Sequence, residues 1–131
     1  MIKKTKQKYN EVFIPAYNDL KEKYEAYKDI DILTKEQNIE LFVKWQHAFS
    51  SVMDLLKEYM SFVGLYPADI VAGVRSAYYN EIIKDGQDWI NLYYYLSVKY
   101  VRDAKPLNEK HFNLFEQIKT YIEKEIEVYD G

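Results

Sequence analysis

The chain has 131 residues, 48% of them hydrophobic and 30% charged, with a formal net charge of −3. That is one domain's worth of sequence in a globular balance, which excludes a disordered chain and a nucleic-acid binder held by bulk positive charge. It holds no cysteine, which excludes disulfides, thiol catalysis and Cys-ligated zinc.

Met1 to Lys8 carries four lysines but no following apolar run, so it does not read as a signal peptide. It reads either as an arm for a polyanion or, preferably, as a solvated helix start or frayed tail. No stretch approaches the roughly 18 apolar residues of a membrane span, so a cytoplasmic protein without a membrane partner is expected. The first helical stretch covers residues 5–29, with a kink or break expected at Pro15. Thr34 and Gln37 fit a capping box for a second helix over 35–63, whose apolar stripe runs from Phe42 and Trp45 through Phe49, Met53, Leu56 and Met60 to Val63. Gly64 suits its C-terminal cap, and Pro67 suits the first turn of a third helix over 67–83. Asp85-Gly86 is a turn signal, and Asp88 is placed to cap a fourth helix over 88–103. Trp89, Leu92, Leu96 and Tyr100 share one face of that helix, while Tyr94, Val98 and Val101 lie roughly opposite. Pro106 and Asn108 precede a last helix over 109–128. The whole reads as a single all-α domain, an up-and-down antiparallel bundle of four to five helices.

Several chemistries find no residues. The four glycines are scattered, so no phosphate-cradling loop is present. His47 and His111 lack a Glu three residues before them, which disfavours a di-iron site. No metal or cofactor is expected. His47 falls on the polar face of its helix, and His111 falls in the first turn of the last helix, where a local capping or surface role is favoured over a lone acid–base group. Asp85 and Asp88 read as turn and cap residues rather than an acid–base pair. Only Arg75 and Arg102 are arginine among 18 basic residues, and nucleic acid is not an expected partner. Of the 14 tyrosines, six lie between residues 78 and 100. Such rings give broad, stiff contact area with a polar tip, as interfaces use; base stacking and simple compositional bias are the other readings.

Two segments carry a resemblance. Lys44-Trp45-Gln46-His47-Ala48-Phe49 is followed by Met53-Asp54-Leu55-Leu56-Lys57-Glu58-Tyr59-Met60. Downstream come Val74-Arg75-Ser76-Ala77-Tyr78, Ile82-Ile83-Lys84-Asp85-Gly86 and Asp88-Trp89-Ile90-Asn91-Leu92. This ordered series, spanning about residues 39–92, resembles the nucleotidyltransferase substrate-binding proteins of the HEPN superfamily. The resemblance implies a dimerising helical bundle whose partner is a minimal nucleotidyltransferase, in a toxin–antitoxin-like pair. Ribonuclease relatives carry an Arg, four residues, then a His, with a tyrosine two positions further on. Counting from Trp89, those positions here hold Leu96, Val101 and Asp103, with Ser97 where an asparagine often stands. None of these can take the roles of the arginine and histidine, so ribonuclease activity is not implied.

The expectation is therefore a non-catalytic binding bundle that forms a homodimer through its third and fourth helices. Tyr94, Tyr95, Val98 and Val101 are its candidate interface. Arg75, Tyr79 and Trp89 form a possible substrate groove. A divergent ribonuclease using Arg102 and His111, and a stand-alone helical adaptor, are the alternatives.

Overall fold

The computed structural model describes residues 2–130, and among them every regular element is a helix. Helix α1 (Lys3–Lys8) runs into a π-turn (Tyr9–Phe13) and then α2 (Ile14–Tyr27). Next come α3 (Lys35–Phe62), α4 (Ile70–Tyr79), α5 (Gly86–Leu96) and α6 (Glu109–Asp130).

The break expected at Pro15 is instead a widened turn. Proline lacks an N–H, and its ring crowds the carbonyl four residues back. In the π-turn the Ile14 N–H reaches back five residues to the Tyr9 carbonyl, which loosens the spiral just ahead of the proline. The helical path therefore continues, and α1 is docked rather than loose. Ile2 and Thr5 are buried, and Lys6 pairs with Asp130.

Four rods alternate in direction. Lys6–Asp130 and Tyr17–Glu116 pair the α1–α2 rod with α6 in descending order, so the two are antiparallel. Tyr27–Glu40 and Tyr24–Trp45 set α2 antiparallel to α3 in the same way. Phe42–Tyr95 and Phe49–Trp89 do so for α3 and α5. The shorter α4 packs on α5 and α3.

The long central helix α3 is buried on more sides than the single stripe predicted. Leu41, Ala48, Leu55 and Tyr59 are as buried as Phe42, Trp45 and Phe49, because α3 contacts every other helix. At the heart of the core, Trp45 packs against the rings of Tyr24, Phe112 and Phe115. Burying rings of this size supplies the main favourable term for folding.

The caps explain the boundaries. At the start of α3, the Gln37 N–H donates to Thr34 Oγ1 (3.1 Å) and the Thr34 N–H donates to Gln37 Oε1 (2.9 Å), the predicted capping box. At its end Gly64 adopts φ +86°. The Leu65 N–H donates to the Met60 carbonyl (2.7 Å) and the Gly64 N–H to that of Ser61 (3.1 Å), a Schellman motif.

Helix α4 is shorter than predicted at both ends. Pro67 lies outside it, and Asp69 caps it by accepting the Ala72 N–H (2.8 Å). It stops at Tyr79 in a second Schellman motif, with the Ile82 N–H on the Ala77 carbonyl (2.8 Å) and the Glu81 N–H on that of Tyr78 (3.1 Å). The left-handed position is filled by Glu81 (φ +60°) and not by a glycine.

Helix α5 is also displaced, starting at Gly86 and ending at Leu96 instead of spanning 88–103. Asp88 is consequently inside its first turn rather than capping it.

Candidate interaction surface

The end of α5 decides what the α4–α5 side can present. Leu96 is its last residue, 4% exposed, and its carbonyl accepts a hydrogen bond from Gln46 Nε2 on α3 (2.9 Å). The following segment is pinned as a loop by four further contacts. The Tyr95 hydroxyl donates to the Asp103 carbonyl, and the Arg102 guanidinium sits over the Tyr95 ring, 5.1 Å from its centre. Asn38 on α3 bridges the loop with both ends of its amide, donating to the Arg102 carbonyl (2.9 Å) and accepting from the Ala104 N–H (2.8 Å).

These contacts correct the helix on which the interface was predicted. Tyr94, Val98 and Val101 do not form a helical strip, because Val98 and Val101 lie beyond the end of the helix. Val98 packs against the core, and Tyr95 is committed to its own loop, where burial raises its pKa. Tyr94 and Val101 are exposed. Tyr100, assigned by spacing to the core face, is 71% exposed, since the helix that would have turned it inward has already ended.

The predicted groove is two-thirds assembled. Arg75 and Tyr79 line a cleft of about 470 Å³ between α4 and α5, together with Tyr78, Lys84, Gln87 and Asp88. Trp89 does not join them. It is fully buried, with its ring 6.2 Å from Phe49 and 5.7 Å from Phe115, on the core face that helical spacing assigns it. The cleft's carboxylates are tied to α6: Asp85 accepts from Gln117 Nε2 (2.8 Å) and Asp88 pairs with Lys110 (3.5 Å). Around this cleft Tyr78 is 52% and Tyr79 80% exposed, with their rings 6.0 Å apart.

His111 takes the capping role, one of the two local roles expected for it. The Asn108 N–H donates to its Nδ1 (3.1 Å), and Asn108 Oδ1 accepts the Lys110 N–H (3.0 Å), closing a box around the start of α6. Burial, with Lys110 nearby, holds the imidazole below its usual pKa. That is consistent with an accepting, unprotonated Nδ1. Arg102 and His111 are thus engaged by different partners. His47 is exposed, as its helical position predicted.

One feature escaped the sequence reading altogether. A second cavity, about 410 Å³, lies along α3 beneath the start of α4 and the end of α5. Met53, expected in the core, is one of its walls and only half-buried. Its signal was the length of the α3 stripe, which outruns a ten-residue α4. Among the described residues no helix is long and apolar enough to cross a membrane, and no three His, Cys, Asp or Glu side chains converge as metal ligands would. Comparison with family models, with curated proteins and with solved structures finds no match to this chain.

Proposed function

We propose that this bundle is a non-catalytic binding protein, a HEPN-type companion of a minimal nucleotidyltransferase that works as a homodimer in a toxin–antitoxin-like pair. The observation that carries the reading is the pairing of a buried Leu96 with exposed tyrosines on neighbouring α4 and α5. Leu96 stands where ribonuclease relatives of the resembled family place arginine, and it is sealed into the core. Tyr78, Tyr79 and Tyr94 stand out from those helices. Clustered tyrosines with exposed rings are the residue type that anchors protein interfaces.

The partner surface is the α4–α5 side, with Tyr78, Tyr79 and Tyr94 as contacts and the Arg75 cleft between them. Arg75 makes no ion pair among the described residues, so its planar fork is free for a carboxylate or phosphate.

The test is co-expression with the small nucleotidyltransferase of a neighbouring reading frame. The two chains are expected to co-purify, and a Tyr79→Ala, Tyr94→Ala double variant to separate them while remaining folded. The purified chain is expected to leave RNA intact. Cleavage abolished by His111→Ala would replace this reading with the ribonuclease one.

A further inference from the structure

The cavity along α3 has the size and lining of a small-molecule site, which usually spans about 300–1,000 Å³ with an apolar body and a few polar groups. Its floor is Phe49, Leu56 and Met60, and its walls include Met53, Ile70 and Tyr93. It exists because the cover is shorter than the floor. Helix α4 begins only at Ile70, α5 ends at Leu96, and the α3 stripe continues between them. Pro67 closes one side against Gly73, where an added Cβ would stand 3.6 Å from the Pro67 ring. Two thioether side chains give walls that adapt to a ligand's shape.

The mouth carries charge of both signs. Asp54 and Lys57 stand one turn apart on α3, both exposed and neither in an ion pair among the described residues. Asp69 is also at the rim but is engaged as the α4 cap. Gln46 is likewise engaged, by the Leu96 carbonyl. The free pair therefore defines the head group: a cation for Asp54 beside an anion for Lys57, over an apolar floor.

We infer that this cavity binds an apolar-bodied zwitterion, of the class of a free α-amino acid with a large hydrophobic or aromatic side chain. The ammonium faces Asp54, the carboxylate faces Lys57, and the side chain lies on Phe49, Met53 and Met60. This site is separate from the α4–α5 cleft and does not rest on the partner proposed above.

The test uses the full chain with labelled methionine methyl groups, since Met53 and Met60 line the cavity. Three probes are titrated: L-phenylalanine, 3-phenylpropionate, which lacks the amine, and phenethylamine, which lacks the carboxylate. L-phenylalanine is expected to shift both methyl signals saturably, with a dissociation constant on the order of a millimolar for so small a ligand. Each half-charged probe is expected to bind about three- to fivefold more weakly, the worth of one exposed ion pair. Asp54→Asn should abolish the advantage of L-phenylalanine over 3-phenylpropionate, and Lys57→Met its advantage over phenethylamine. Ser50→Trp, at an exposed position on the rim, should block all three without lowering the melting temperature. No saturable shift by any probe, equal binding of all three, or undiminished binding in the Ser50→Trp chain would each overturn the inference.

Discussion

Replacing Glu81 with glycine should stabilise the protein. Glu81 occupies the left-handed position of a Schellman motif at φ +60°, and its side chain is exposed, with no hydrogen bond or ion pair among the described residues. A non-glycine residue there carries a backbone penalty of about 1–2 kcal/mol. Glycine removes that penalty but loosens the unfolded chain, which returns about 0.4–1 kcal/mol. The net gain is about 0.5–1 kcal/mol. With an unfolding entropy of about 2.1 cal/mol/K per residue over 131 residues, this raises the melting temperature by about 2–4 °C. The reciprocal change is Gly64→Ala, in the same motif at the end of α3. An added Cβ at Gly64 meets nothing within 4 Å, so the cost is one of backbone conformation alone, about 0.5–1 kcal/mol. Thermal unfolding followed by circular dichroism measures both, with Glu81→Ala as a near-neutral control that keeps the strain. A Glu81→Gly chain that melts below the parent, or matches Glu81→Ala, would refute the argument.

Three further outcomes are expected. Tyr17→Phe removes the hydroxyl that donates to Glu116 Oε1 (2.8 Å) between the α1–α2 rod and α6; because Glu116 regains water, the loss should be about 1–2 kcal/mol, and a double-mutant cycle with Glu116→Ala, which removes the acceptor, should recover most of it as coupling. Asn38→Ala frees two backbone groups of the loop after α5 and should cost about 2 kcal/mol, with faster hydrogen exchange at the Ala104 amide. His111 titrates below its unfolded value, so the unfolded chain takes up the proton first. Stability should therefore fall as the pH drops through about 6.5 and level off below the folded pKa. His111→Gln can keep the cap without titrating, so its melting curve should be flatter over that window.

What could be read from the residues was whatever depends on neighbours in the chain. The Thr34–Gln37 box, the Gly64 cap and the role of His111 all rest on contacts within six residues, and each stands where it was expected. The core face of α5 was legible too, since Trp89, Leu92 and Leu96 are all buried. Placing Trp89 in a groove went against that same spacing. What could not be read was set across the fold. No glycine or proline marks the end of α5; it is held by Gln46 and Asn38 on α3 and by Asp103. The end of α4 hid for the opposite reason, because Glu81 fills a position where glycine would have announced the turn. The split of the predicted interface into exposed Tyr94 and Val101, tied Tyr95 and packed Val98 follows directly from these two displaced ends.

The π-turn ahead of Pro15 has a consequence for how this chain can vary. An ordinary α-helix advances by about 100° per residue, so deleting one residue between Tyr9 and Phe13 would swing everything upstream by more than a quarter of a circle. Ile2 and Thr5 would leave the interior and lysines would enter it. The extra residue and the proline are then a matched pair, tolerable together and harmful singly. Related chains without a proline at this point should be one residue shorter just before it, and a deletion here should be rescued only when Pro15 is replaced as well.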